Sequence, residues 1–115
     1  MSEFNRHNEQ HVAERKREVV DISMQVLNGT MGIIEASREL YTLMHDLEFL
    51  GDMEDWNSII ELYSDSDYLP VDENIRSRWA QEALDKMDKE IESFEQRYKQ
   101  DFQQACRKLI ARFSG

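Results

Sequence analysis

Proline occurs once in 115 residues and glycine four times, so the chain holds few of the residues that interrupt helices or turn strands. A single cysteine, Cys106, excludes a disulfide framework and fits a reducing compartment. No uncharged apolar run exceeds a few residues, which excludes a membrane-spanning segment. The opening MSEFNRHNEQH lacks the apolar centre of a signal peptide, so a cytoplasmic protein is expected. Strand-like alternation and internal repeats are missing. Gly29 and Gly32 alone make no phosphate-binding loop.

The largest deficit is in positive charge. From residue 39 to residue 75 there is no Lys or Arg, while 11 of the 24 acids fall there. The remaining 13 acids face all 14 Lys and Arg, so this stretch generates the whole net charge of −10. Such a field repels nucleic acid and anionic lipid and attracts basic proteins or cations. The basic clusters Arg15-Lys16-Arg17 and Arg107-Lys108 are interleaved with acids, which leaves nucleic-acid binding without a basic surface.

What is present is helical periodicity. With 40% apolar and 33% charged residues, the composition is that of one folded helical domain over 1–115, with residues 1–10 frayed. Val12, Val19 and Val26 recur every seven residues, and Asn28-Gly29 supplies a stop. Thr30 is the expected cap of a second helix whose stripe runs Ile33, Ala36, Leu40, Leu43, Leu47, Leu50 up to Gly51. Asp52 then caps a third helix, in which Trp56, Ile59, Ile60 and Tyr63 form a short buried face. Ser64 to Pro70 reads as loop, and Asp72 as the cap of a segment with apolar face Ile75, Trp79, Ala83. From Leu84 the stripe continues through Met87, Ile91, Phe94, Tyr98, Phe102, Ala105, Leu109 and Phe113.

A helix from Glu73 to Phe113 would be about 60 Å long, more than a compact domain of this size spans. A break is therefore expected near Asp85 to Asp88. The predicted fold is all-α, a bundle of about four to five helices with long first and last members.

Few residues point to chemistry. Glu35 and Glu39 lie one turn apart with Arg38 beside them, which predicts either a local Glu35–Arg38 pair or a ligand site. No Glu-x-x-His occurs, which excludes the usual helical di-metal ligand set. His7 and His11 are spaced for one metal but lie in a polar leader, so no metal is expected. Asp65-Ser66-Asp67 starts like a calcium loop, yet lacks its glycine and its bidentate glutamate. Near Arg76, Arg78 and Trp79 these acids could instead form a buried polar cluster. Cys106 sits on the core stripe and reads as a small hydrophobe, not a nucleophile. No catalytic residue and no cofactor is expected.

Three pieces together carry a resemblance: Ile34-Glu35-Ala36-Ser37-Arg38-Glu39-Leu40, Ser64-Asp65-Ser66-Asp67-Tyr68-Leu69-Pro70, and Arg78-Trp79 with Glu82-Ala83-Leu84. They resemble a family of small bacterial helical domains with no assigned function. Its pattern reads I-E-G-x-R-x-L, then S-E-T-D-x-L-P, then a tryptophan-bearing helix. This chain departs from it at Ala36, Asp65 and Ser66. The resemblance implies one cluster of Glu35, Arg38, Asp65, Asp67 and Trp79, with Arg78 beside it, and implies no reaction. In size and charge the chain is also similar to immunity proteins, which neutralise bacterial toxins.

Three functions emerge as expectations. The first is a non-enzymatic inhibitor of a basic toxin, a nuclease being one candidate, that binds through Glu48, Asp52, Asp55, Trp56, Glu61, Tyr63, Asp65, Asp67 and Tyr68. Acids there would steer association, and exposed aromatics would anchor it. The second is a ligand-binding or enzymatic domain built on Glu35, Arg38, Asp65 and Asp67, which calls for a concave pocket. The third is a homodimeric adaptor using the last helix as a coiled-coil seam.

Overall fold

The computed structural model describes residues 2–47, 53–69 and 73–114, apart from the side chains of residues 2–8, 53 and 55. Among the described residues five helices follow one another: α1 (Ser2–Asn28), α2 (Ile33–Asp46), α3 (Met53–Ser66), α4 (Glu73–Arg76) and α5 (Gln81–Phe113). No strand occurs among the described residues, so the architecture is the expected all-α bundle. The long first and last helices pack on each other, and α2 and α3 close the remaining sides.

The stop at Asn28-Gly29 is a Schellman turn. Gly29 takes φ +79, its N–H donates to Val26 O at 3.1 Å, and the Thr30 N–H donates to Gln25 O at 2.9 Å. This engages Thr30 at the end of α1, where its hydroxyl also donates to Gln25 O. Thr30 therefore does not cap α2, as the sequence had suggested. The extended Gly32 takes that place, with no side-chain cap. At its other end α2 stops at Asp46, with Leu47 as a buried C-cap. Glu48 and the expected stop and caps at Gly51, Asp52 and Asp72 lie outside the described residues.

The core is one cluster. Val19 and Val26 of α1 meet Ile34, Leu40 and Met44 of α2, Trp56, Ile59 and Leu62 of α3, and Phe102, Cys106 and Leu109 of α5. The α5 side recurs as Tyr98, Phe102, Ala105, Leu109, a 4-3-4 spacing that keeps one face inward. Those side chains are buried within the same chain, so the second half of the supposed dimer seam is already occupied.

Two further expectations about helix ends are overturned. Residues 64–66 belong to α3, not to a loop, and the buried Ser66 hydroxyl donates back to Leu62 O. The interruption before the last helix lies at 77–80 and not at 85–88. There the Arg78 and Trp79 N–H groups donate to Ile75 O and Arg76 O, three residues back, and Ala80 turns extended with ψ 147. Asp85, the expected cap, lies inside α5, where it accepts a bond from Gln81 Nε2 at 2.9 Å. The expected break between Glu73 and Phe113 thus occurs, but nearer the start, because the molecule is elongated, 56 × 29 × 22 Å, and accommodates an α5 of about 50 Å.

The two long helices are offset. Lys16 lies over the Phe113 ring, Ser23 lies beside Cys106, and the end of α1 meets Glu95 and Lys99. The pair is antiparallel, and the first half of α5 runs past the end of α1.

Candidate functional site

Arg38 is the polar centre of the segment that the sequence had marked out. It leaves α2 half-buried and donates through Nη2 to three backbone carbonyls, Ser66 at 2.9 Å, Asp67 at 3.4 Å and Leu69 at 2.7 Å. These are carbonyls at and beyond the end of α3, where a helix lacks internal partners and its dipole favours a cation. Leu69, buried just beyond, is held in place by the same contact.

The cluster implied by the resemblance therefore forms only in part, through backbone and not through carboxylates. Arg38 turns away from Glu35, so the local Glu35–Arg38 pair does not form, and Glu35 stands exposed. The Asp65 carboxylate accepts from the Tyr98 hydroxyl of α5 instead. That bond, with burial adding to it, raises the Tyr98 pKa above its ordinary value. Asp67, Arg78 and Trp79 are exposed. The polar contacts have a plain reason: Arg38 adds a charged donor to carbonyls at and beyond the end of α3, of which Ser66 O also accepts from the Leu69 N–H, and this competes successfully with an exposed ion pair.

Of the residues expected to face a partner, Glu61, Asp65, Asp67 and Tyr68 are exposed. Trp56 is not. It is fully buried, its ring 6.1 Å from that of Phe113, in keeping with the buried face expected of α3, and it offers no surface to a partner. Tyr63 is half-buried and stacks on Tyr41 with centroids 3.9 Å apart and planes within 4°. His45 meets the edge of Tyr41 at 4.7 Å. Glu48 and Asp52 lie outside the described residues, as does the side chain of Asp55.

An open groove of about 670 Å³ runs between α1 and α2. Arg15, Glu18, Asp21, Arg38, Glu39, Thr42 and Asp46 line it. Arg15 is engaged by Glu18 at 2.7 Å and by Asp46 at 3.6 Å. Partial burial, then the neighbouring Glu35, raises the Glu39 pKa. Sequence reasoning missed Arg15 and Asp46 here. The Arg15–Glu18 spacing was readable, whereas Asp46 arrives from another helix.

Cys106 is fully buried, and burial pushes its thiol up to about 11. Among the described residues no group of His, Cys, Asp or Glu could hold a metal ion, and no helix is long and apolar enough to cross a membrane. No known protein family, curated protein or solved structure matches the chain.

Proposed function

We propose that this chain is a binding protein that occludes a basic protein, acting as an immunity-type inhibitor of a toxin. One observation carries the reading: although Asp46 meets Arg15 and Asp65 meets Tyr98, three other acids of the Lys- and Arg-free stretch stand in solvent without a cationic partner. Glu54, Glu61 and Asp67 are exposed and form no ion pair among the described residues. Arg38, the nearest cation along α2, is committed to backbone carbonyls. A field of this kind speeds encounter with a basic partner by roughly 10–1000-fold at low salt and loses force as salt rises.

Co-expression with the basic protein encoded by an adjacent gene tests this. Survival and a co-purifying complex are expected, and combined Glu54→Lys, Glu61→Lys and Asp67→Lys changes should abolish both. Unchanged rescue by the charge-reversed chain contradicts the reading.

The α1–α2 groove, where Glu18, Asp21, Glu39 and Asp46 outnumber the already engaged Arg15 and Arg38, favours a second reading, a site for a small cationic ligand. A thermal shift by organic amines that disappears in Glu39→Gln would support it. The absence of any such shift would remove it.

A further inference from the structure

Of the four large apolar side chains that stand exposed among the described residues, three belong to the stretch between α3 and α5. They are Tyr68 at 55%, Ile75 at 48% and Trp79 at 39%. This stretch is tied down at two points. The Tyr68 hydroxyl donates to Glu90 Oε2 at 3.1 Å, and Arg76 grips Asp88 with both nitrogens, at 2.8 and 3.0 Å.

On a helix of 3.6 residues per turn, Glu90 and Asp88 flank the stripe Leu84, Met87, Ile91 on opposite sides. Tyr68 and Arg76 thus hold opposite sides of the first half of α5, the half that α1 does not reach. Even so, Leu84, Met87 and Ile91 remain only half-buried. The chain therefore leaves an apolar end that it covers incompletely, and apolar surface of this kind marks contact sites.

Resting on the function proposed above, we infer that Tyr68, Ile75 and Trp79, above this half-covered stripe, form the apolar centre of the interface with a basic protein partner. Charge selects the occupant. Asp67, Glu73, Glu82 and Asp85 stand exposed along the same stretch, against Arg78 and Lys86. A second copy would bring its own net charge of −10 against them. A basic protein brings the opposite sign, with Tyr and Trp supplying the rigid anchors that dominate such interfaces.

The test places a photo-crosslinking residue at position 75 or 79, with Met24, the other exposed large apolar residue, as control position. The probe is a co-expressed neighbouring-gene product, selected for net positive charge. Crosslinks from 75 and 79 but not 24 are expected, with affinity falling at least tenfold in both Trp79→Ala and Ile75→Ser. More than half of each side chain is covered, so the unfolding midpoint of each variant is measured alongside, and a chain still folded at the working temperature separates lost binding from lost folding. A salt-sensitive complex that neither substitution weakens overturns this inference and leaves the proposed function standing. No complex at all overturns both. Crosslinks between two copies of the chain without partner assign the patch to self-association and overturn the inference.

Discussion

Arg38 of α2 donates to the carbonyl of Leu69, 2.7 Å away and 31 residues further along the chain. With the Ser66 and Asp67 carbonyls on the same nitrogen, one guanidinium joins α2 to the end of α3 and fixes where the chain leaves that helix.

Replacing Arg38 by alanine should therefore cost about 2 kcal/mol, the scale of hydrogen bonds made by a charged donor, and raise exchange of the amides around Leu69. Lysine keeps the charge, but its ammonium is more strongly hydrated and costs more to half-bury than a guanidinium, so Arg38→Lys should recover only part of the loss. Urea unfolding measures both. Equal stability of wild type and Arg38→Ala would mean that the carbonyls are as well served by water.

Tyr98 and Asp65 make stability depend on alkaline pH. A tyrosine whose folded pKa lies above its unfolded value, about 10, contributes stability that is complete below that value. The contribution is lost as pH rises through the higher folded pKa. Tyr98→Phe should flatten this alkaline decline, and Asp65→Asn should lower the ionisation midpoint of Tyr98 seen by ultraviolet absorbance. An unchanged midpoint in Asp65→Asn would contradict the contact.

Ser23 and Cys106 meet at the α1–α5 contact. The Ser23 hydroxyl is buried with no nitrogen or oxygen partner, only the Cys106 sulfur beside it. Ser23→Ala should be neutral or stabilise by up to about 1 kcal/mol, because removing an unsatisfied buried group relieves its desolvation. The Cys106 thiol, pushed up to about 11, should react with disulfide reagents only as fast as the bundle opens. Its contribution to stability is complete below the unfolded thiol value, about 8.5, and is lost as pH rises toward the folded one. Rapid labelling of the folded protein at neutral pH would contradict this burial.

Proline distinguishes the observed helix start from the expected one. Gln81 is the first residue of α5 and follows the extended Ala80, a setting that suits proline. Gln81→Pro should be tolerated, whereas Asp85→Pro should cost about 3 kcal/mol or more. Thermal melts of the two variants decide the point, and the reverse ranking would return the break to 85–88.

The helices were legible because their signals are local. The 3-4 spacing of Ile33, Ala36, Leu40 and Leu43, and Gly29 after Asn28, report on residues within a turn or two. The break was misplaced because Asp85 looks like a cap and a shift of stripe coincides with it. The true interruption at Ser77 to Ala80 contains neither proline nor glycine. Ile75 and Trp79 were read as an inward face because apolar type was the only cue, and exposure depends on what α4 packs against. Arg38 and Asp65 were singled out as polar residues of interest. Their partners, backbone carbonyls and a tyrosine 33 residues away, arise only once α2, α3 and α5 are assembled.

The acidic stretch is tested most directly by the salt dependence of binding to the basic protein encoded by the adjacent gene, measured by titration calorimetry at rising ionic strength. A tight complex at low salt that weakens steadily as salt rises is expected. Its salt slope should shrink in the Glu54→Lys, Glu61→Lys, Asp67→Lys chain. Binding indifferent to salt, or no binding at low salt, would contradict the claim that the acidic stretch is the partner surface.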